Sequence, residues 1–229
     1  MGGLNVKNTM VERVLQIIAP HPCSGCGNVG TILCEDCKYD IINEPFEGCI
    51  LCGTPNPYGI CSTHNSPITR AFTVSTRAGS LETVINKFKF QQTKGAARPL
   101  AELFDASLPI FSNNTLIVPI PTVRAHIRER GYDHVGLIAR HLADIRSLCI
   151  EPLLVRRTNT TQHTVNREMR EVQANEAFVL QDGVNVRGRT VVLIDDIVTT
   201  GSTLQAAAMQ LTNAGAIVWA ATLAYQPLD

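Results

Sequence analysis

Apolar and polar positions divide the chain into three stretches with different patterns. In residues 1–20, apolar side chains recur at three- and four-residue spacings and stop at Pro20, which predicts an amphipathic helix. Residues 21–66 are rich in Cys, Gly, Pro and Asn and contain few long apolar segments, so this stretch is too thin in hydrophobic side chains to form a core without cross-links. We therefore predict a small separate module there, followed by a larger domain over residues 67–229.

Strand-like and helix-like segments alternate in the larger domain. Before residue 121 these segments are 71–75, 81–90, 99–106 and 116–120. Beyond it we predict a helix over 133–145, strands at 153–155 and up to Leu180, a strand over 191–194, a helix over 203–213 and a strand over 217–224. Uninterrupted apolar strands separated by helices predict an α/β fold with a parallel sheet covered on both faces. Ligands of such sheets bind at the carboxyl ends of the strands.

Charge and composition exclude several classes of protein. The 20 Lys and Arg balance the 20 Asp and Glu, so no global field attracts the chain to nucleic acid or to an anionic membrane, and any DNA contact would need a local patch. No run of apolar residues is long enough to cross a bilayer, so we expect no membrane insertion. Cysteines in closely spaced pairs indicate a reducing compartment, and we expect the protein to be cytoplasmic.

Seven of the eight cysteines fall into two sets with the spacing of metal ligands. One set supplies four thiolates and the other three thiolates and an imidazole, which suits two tetrahedral, structural Zn²⁺ sites in a double zinc ribbon. The candidate ligands are Cys23, Cys26, Cys34 and Cys37 in the first set and Cys49, Cys52, Cys61 and His64 in the second. Free thiols and an interleaved pairing of the two sets remain alternatives. The eighth cysteine, Cys149, lies in an apolar setting and is expected to be buried.

The segment from residue 191 to 203 runs from an apolar strand through two acids into a hydroxyl- and glycine-rich turn that opens a helix. Such a turn directs unpaired backbone N–H groups and the positive end of the helix dipole at one point, which suits a phosphate. Gly201 permits close backbone approach, and the two carboxylates can accept hydrogen bonds from the hydroxyls of an adjoining sugar. The candidate residues are Asp195, Asp196, Ile197, Val198, Thr199, Thr200, Gly201, Ser202 and Thr203.

The thirteen consecutive residues 191–203 resemble the signature with which type I phosphoribosyltransferases bind phosphoribosyl pyrophosphate (PRPP). The alternative is an ordinary Asp-rich turn with a Ser/Thr helix cap. The resemblance implies a type I phosphoribosyltransferase-like sheet and PRPP bound with Mg²⁺. It also implies that Asp195 and Asp196 are catalytic residues that fix the ribose, while the turn holds the 5-phosphate.

Further motifs extend the resemblance to the ComF/GntX family, competence-associated phosphoribosyltransferase-like proteins with an amino-terminal zinc ribbon. They are the leading helix with its Cys-x-x-Cys pairs, Asn86–Phe90, Val118–Pro121, Arg128–Tyr132, Gln162–Phe178 and the phosphate loop. The chain departs from the family pattern at Asp133–His134, where Asn–Gln is expected. By resemblance the loop after strand 116–120 faces the pyrophosphate, with the candidates Pro121, Thr122, Arg124, Arg128 and Arg130, joined by Lys87 and Lys89. A solvated helix start for the arginines and an exposed face for the lysines remain alternatives.

The polar stretch 156–175 lacks apolar periodicity, and we predict a flexible loop that closes over the substrate, with an exposed helical connection over 166–172 as the alternative. The leading hypothesis is Mg²⁺-dependent transfer of phosphoribosyl from PRPP to a nitrogen acceptor. The resemblance adds a role in DNA uptake beside a helicase-like ATPase. The second hypothesis is a non-catalytic module that senses PRPP or a nucleotide and docks single-stranded DNA or that ATPase.

Overall fold

The structure, a computed structural model, describes residues 21–157 and 177–227. The helix predicted over residues 1–20, most of the loop predicted over 156–175 and most of the Gln162–Phe178 motif lie outside these residues. The helices are α1 (Glu35–Ile42), α2 (Gly79–Phe90), α3 (Ala97–Ser107), α4 (Arg124–Arg130), α5 (His134–Arg146) and α6 (Ser202–Asn213), with a 3-10 turn at Lys94–Ala96. The strands are β1 (Ile68–Thr76), β2 (Leu116–Pro119), β3 (Cys149–Ile150), β4 (Leu154–Arg156), β5 (Phe178–Leu180), β6 (Thr190–Val198) and β7 (Ile217–Tyr225).

Five strands form one parallel sheet in the order β1-β7-β6-β2-β3, and β4 and β5 form a separate antiparallel pair. Side chains of β6 alternate between two hydrophobic clusters: Val192 and Ile194 pack with α2, α3 and α5, whereas Val191 and Leu193 pack with α6. Both faces of the sheet are therefore covered by helices, and the predicted fold class is confirmed. β6 is the central strand, with β7 on one side and β2 on the other. Its carboxyl end therefore lies at the middle of the edge at which the parallel strands end.

Two expectations from the sequence are wrong in detail. We expected the strand before the two acids to end at Ile194, but β6 continues to Val198, because β7 runs beside it as far as Tyr225 and supplies hydrogen-bonding partners. Cys149 is exposed rather than buried, because it begins a two-residue strand at the edge of the sheet. The two acids are therefore part of a rigid strand and not of a turn.

Residues 21–66 contain one helix, α1, and two isolated β-bridges, Pro22–Val29 and Gly48–Pro55. Buried side chains of this stretch join the hydrophobic clusters of the sheet domain, since Leu33 packs in the same cluster as α2 and Ile50 in the same cluster as α6. The division between the two parts at residue 67 stays a prediction. No helix within residues 21–157 and 177–227 is long and apolar enough to cross a membrane.

Candidate functional site

The loop between β6 and α6 forms a small concave site at the carboxyl edge of the sheet. Its cavity of about 40 Å³ is lined by Asp195 and by every residue from Ile197 to Leu204. Gly201 is the N-cap of α6 with φ +69°, a left-handed conformation that favours glycine. The Thr200 hydroxyl donates a hydrogen bond to Ser202 Oγ at 3.0 Å, so the loop is tied to the first turn of the helix. This geometry presents a helix amino terminus and several hydroxyls to one small ligand group.

Asp196 is buried and lies beside two basic side chains from other elements. Its Oδ2 lies 2.7 Å from Lys89 Nζ of α2 and 2.7 Å from His134 Nε2 of α5. Burial alone would raise the pKa of Asp196, but the hydrogen bond from His134 and the charge of Lys89 hold it below the usual range. Asp196 is therefore an ionised carboxylate fixed between two helices.

Asp195 is partly exposed to the cleft, and within residues 21–157 and 177–227 it forms no ion pair as short as those of Asp196, although the charges of Lys89 and Arg156 act on it. Its Oδ1 accepts a hydrogen bond from the Asp196 backbone N–H at 2.9 Å. Burial, and then the neighbouring charge of Asp196, raises the pKa of Asp195 from 3.8 to about 7. The acid pair is thus asymmetric: one carboxylate is compensated by the protein, whereas the other needs hydrogen-bond donors or a cation from a ligand.

A cleft of about 280 Å³ joins the acid pair to the loop after β2. Of the seven residues predicted from the sequence outside the Asp195–Thr203 segment, four line this cleft and three do not. Those that line it are Lys89, Pro121, Thr122 and Arg130, and those that do not are Lys87, Arg124 and Arg128. Thr122 Oγ1 donates to Asp133 Oδ1 at 2.7 Å, and the same oxygen accepts from the Gly136 N–H at 3.2 Å as the N-cap of α5. The loop after β2 is therefore held by the start of α5.

The predicted arginines divide between the cleft and the solvent. Arg130 Nη1 lies 3.0 Å from His134 Nδ1, and its guanidinium lies over the Phe90 ring, 5.6 Å from the ring centroid. Arg124 and Arg128 are exposed on α4, which buries none of its residues, and Arg124 lines a neighbouring cleft with β4. Only Arg130 is therefore brought together with the acid pair.

Three basic side chains that line the cleft were not predicted as site residues: His126, His134 and Arg156. His134 had been noted only as a departure from the family pattern, and its position directly after a helix-capping Asp was the available sequence signal. His126 stands among the charged residues of α4, and Arg156 stands at the end of a short strand. Both lie in segments that were predicted to face the substrate, but no local pattern distinguishes them from the charged residues beside them, and tertiary packing decides which side chains enter the cleft.

Comparison with known proteins identifies the domain that carries this cleft. The phosphoribosyl transferase domain family matches residues 94–228. The chain belongs to this family. The DNA utilization protein YhgH of Escherichia coli K12 is 29% identical to it over 181 residues, which are 73% of this chain and 79% of that protein. Competence protein F of Haemophilus influenzae is 28% identical over 187 residues, 75% of this chain and 80% of that protein.

A shorter similarity covers the phosphoribosyl transferase domain itself. Adenine phosphoribosyltransferase of Mycobacterium avium is 35% identical over 104 residues, 44% of this chain and 54% of that enzyme. The competence-named relatives and the domain match together confirm the ComF-family resemblance and the type I phosphoribosyltransferase-like fold. The matched domain contains both the phosphate loop and the loop after β2, and it begins after Lys89.

Outside the matched domain, this ComF-family chain carries the two ligand sets predicted from the sequence. The ligand atoms of Cys23, Cys26, Cys34 and Cys37 lie within 4.8 Å of one another, and so do those of Cys49, Cys52, Cys61 and His64. The sets are consecutive along the chain, so the interleaved pairing is wrong. Each is a cluster that could hold a metal ion, consistent with a zinc-ribbon module.

Local contacts support a metal in each cluster. The Cys34 N–H lies 3.4 Å from Cys23 Sγ, and in the second cluster the Cys61 N–H lies 3.4 Å from Cys49 Sγ. N–H donors of this kind stabilise a thiolate, which is the form that binds metal. The Nε2 atom of His64 is buried without a hydrogen-bond partner in the described part of the chain. A metal in the second cluster would give this buried nitrogen atom a partner.

Proposed function

We propose that this protein binds PRPP with Mg²⁺ and transfers the phosphoribosyl group to a nitrogen acceptor, with release of pyrophosphate. The observation that carries the proposal is one cleft that joins a phosphate-sized site, an asymmetric acid pair and a basic wall at the carboxyl ends of adjacent parallel strands. These are the three kinds of group that a sugar bearing phosphates at both ends requires. Membership of the phosphoribosyl transferase domain family supports the same substrate.

The proposed roles follow from what each side chain has available. The Thr199–Thr203 loop holds the 5-phosphate through backbone N–H groups and hydroxyls. Asp195 accepts hydrogen bonds from the ribose hydroxyls, which add to the partial compensation that the charges of Lys89 and Arg156 give this carboxylate. Asp196 positions Lys89 and His134 at the centre of the cleft, because both side chains lie 2.7 Å from its buried carboxylate.

In the reaction, the nitrogen lone pair of the acceptor forms a bond to C1 of the ribose as the bond from C1 to the pyrophosphate oxygen breaks. The bonding electrons leave with pyrophosphate, and the acceptor gives up its proton. Mg²⁺, when bound with PRPP, neutralises charge on the leaving group. Arg130 and Lys89 add fixed positive charge beside it, and Thr122, held by Asp133, offers a polar side chain at that wall.

The proposal also covers the metal clusters and the cellular role. Both clusters are proposed to hold structural Zn²⁺, because each set supplies four ligands and leaves no open position for a substrate. Reduced thiols of this kind persist in the cytoplasm, which we propose as the location. The printed names of the relatives associate them with DNA utilization and competence, and we extend to this chain a role in DNA uptake beside a helicase-like ATPase.

A second candidate function is a PRPP-sensing module that docks single-stranded DNA without catalysis. The specific observation in its favour is the exposed helix α4, where Arg124 and Arg128 extend the basic wall of the cleft into solvent. Such a local patch attracts the backbone of a nucleic acid even when the net charge of the chain is zero.

Titration calorimetry of PRPP with Mg²⁺, combined with a pyrophosphate-release assay over a panel of bases, tests both candidates. Binding with release supports the transferase, whereas binding without release over the whole panel favours the sensing module. Asp195→Ala removes the ribose-facing carboxylate and is expected to weaken PRPP binding by about 100-fold, a value typical of a positioned charged group. A correctly folded Asp195→Ala protein that binds PRPP as well as the wild type would contradict both candidates.

A further inference from the structure

The second metal cluster touches the phosphate loop. Leu51 lies between the ligands Cys49 and Cys52, and a Cβ atom on Gly201 would collide with Leu51 Cδ2. The same Cβ would lie 3.5 Å from the backbone oxygen of Ile50. The Cys-x-x-Cys turn of this cluster, residues 49–52, is therefore packed directly against the glycine that caps helix α6.

We infer that a metal in the second cluster positions the phosphate loop, so that this metal and the sugar phosphate bind cooperatively. This inference rests on the proposed function, because it assumes that the loop holds the 5-phosphate. The inference concerns the contact between the turn 49–52 and Gly201. Leu51 is the positioning residue, because its side chain makes this contact. The metal acts through this residue and touches no substrate.

Burial explains how the turn can transmit a constraint. Ile50 is only 1% exposed and belongs to the same hydrophobic cluster as Val198 and Leu204, the residues on either side of the loop. Its N–H donates to the Gly59 oxygen at 2.9 Å, which links the turn to the segment before β1. The loop therefore lies between a rigid strand, a helix and the metal-binding turn, and loss of order in the turn would remove one of its three supports.

A second contact, made by Gly53 directly after the turn, packs this segment against the end of the sheet. A Cβ atom on Gly53 would lie 2.9 Å from Tyr225 Oη, and the Tyr225 ring stacks on Phe46 with centroids 4.1 Å apart. Tyr225 is the last residue of β7 and is paired with Val198, the last residue of β6. The residues on both sides of Cys52 thus pack on structure that leads into the phosphate loop.

The first cluster provides an internal contrast. Cys23 and Cys37 pack in the other hydrophobic cluster, with α2 and α3. Gly25, in the first Cys-x-x-Cys turn, faces Cys37 Sγ and the Ser80 hydroxyl at the start of α2, and that helix reaches the site only at its far end through Lys89. A metal there is expected to stabilise the fold without a direct effect on the phosphate loop.

Thermodynamic linkage makes the inference testable in both directions. If metal binding orders the turn and the turn orders the loop, then the sugar phosphate must also strengthen the retention of that metal by the same factor. Energetic coupling carried through packed side chains amounts to about a threefold to thirtyfold change in affinity. The first cluster shares no such contact, so the coupling is expected for one cluster only.

The first experiment measures the dissociation constant of ribose 5-phosphate by titration calorimetry for the zinc-loaded wild type and three variants. Cys52→Ser and Cys26→Ser form a matched pair, since both remove an exposed cysteine at the end of the first Cys-x-x-Cys turn of a cluster. Leu51→Ala keeps all the ligands and removes only the side chain that contacts Gly201. We expect about tenfold weaker binding for Cys52→Ser and Leu51→Ala, and a change of less than about twofold for Cys26→Ser.

Equal dissociation constants for the wild type, Leu51→Ala and Cys52→Ser would overturn the inference while leaving the proposed function in place. Equal losses in Cys26→Ser and Cys52→Ser, with Leu51→Ala unchanged, would also overturn it, because they would indicate general destabilisation. If the zinc-loaded wild type bound neither ribose 5-phosphate nor PRPP, the proposed function itself would fail, and the inference with it.

The second experiment measures the same coupling from the metal side. Zinc release to an excess of a colorimetric chelator is followed with and without saturating ribose 5-phosphate. In Cys26→Ser, which keeps the second cluster, we expect the sugar phosphate to slow release by about tenfold. In Cys52→Ser, which keeps the first cluster, we expect no change. Release from Cys26→Ser that is unaffected by the sugar phosphate would contradict the coupling.

Discussion

The two sides of the cleft are built in different ways. The side proposed to hold the 5-phosphate, called the phosphate side below, is one contiguous segment, with Gly201 in a left-handed conformation at the start of α6. The opposite side is assembled from side chains of separate elements, where Lys89 and His134 meet Asp196, and Thr122 meets Asp133. The difference teaches that the first side should be sensitive to backbone conformation and the second to the charge and hydrogen-bonding capacity of single side chains.

The largest effect is expected where the backbone of the phosphate side is changed. Gly201→Val places a branched side chain at φ +69° and against Leu51, so the loop must move. We expect the affinity for PRPP, measured by titration calorimetry, to fall by more than about 100-fold, since strain of this kind and a displaced anion site each cost a few kcal/mol.

Gly183→Val is the matched control for this change. Gly183 also has a positive φ, +77°, but a Cβ atom there would meet nothing within 4 Å. The control should lose stability through backbone strain and keep the affinity for PRPP. If both variants bound PRPP equally well, the phosphate side would not depend on its backbone, and the contrast between the two sides would disappear.

The next largest effect is expected on the side-chain side. Lys89→Met removes the ammonium group that lines the cleft 2.7 Å from the buried Asp196 Oδ2, and truncating one partner of a buried charge pair costs binding about 2 kcal/mol or more. We expect PRPP affinity to fall by about 30-fold. Lys87→Met is the control, because Lys87 does not line the cleft, and it should bind PRPP as the wild type does.

The contrast between the two sides also explains what the sequence predicted. The loop between β6 and α6 could be singled out from the sequence because all its features are contiguous: an apolar strand, two acids, a glycine and a helix start. That it holds a phosphate stays a prediction. The two ligand sets were likewise predicted from spacing alone, since each knuckle closes over two intervening residues. Local physics was sufficient in both places.

The remainder of the site depends on contacts between distant residues. The contacts of Asp196 with Lys89 and His134 could not be predicted, because both residues stand on helices that are far from Asp196 along the chain. The choice between Lys87 and Lys89 depends on how α2 is rotated about its axis, which the burial of Phe88 decides. The end of β6 was misplaced because its last residues are held by β7, a pairing that no local pattern encodes.

The asymmetry of the acid pair provides a prediction about stability. Burial and the charge of Asp196 raise the pKa of Asp195 to about 7, so the folded protein binds more protons than the unfolded chain between its ordinary pKa of 3.8 and that value. The free energy of unfolding should therefore fall as the pH rises through this window. Asp195→Asn removes the ionisation and should make the protein more stable at pH 8, by about 1–2 kcal/mol.

Urea unfolding of both proteins at several pH values between 4 and 8, without Mg²⁺ or ligand, measures this difference. The gain in Asp195→Asn should shrink towards pH 4, where the wild-type carboxyl is protonated in the folded state. Asp182→Asn, at an exposed turn, controls for the loss of a surface charge. A stability difference that does not change with pH would mean that Asp195 is not the uncompensated member of the pair.

The smallest effect is expected at the hydrogen bond that holds the loop after β2. Thr122→Val keeps the shape of the side chain and removes the hydroxyl that donates to Asp133 Oδ1. One such bond to a charged group contributes about 1.5 kcal/mol, so we expect PRPP affinity to fall by about tenfold. Ribose 5-phosphate, which lacks the pyrophosphate, should bind to Thr122→Val as tightly as to the wild type.

Comparing the two ligands on the same variant assigns Thr122 to one side of the cleft. Asp133 also caps α5, so a variant of Asp133 would disturb the helix that carries His134 and would confuse the two sides. Thr122→Val avoids this problem because Asp133 keeps its bond to the Gly136 N–H. If ribose 5-phosphate binding weakened as much as PRPP binding, the loop after β2 would act through the phosphate side, and the two sides would not be separable.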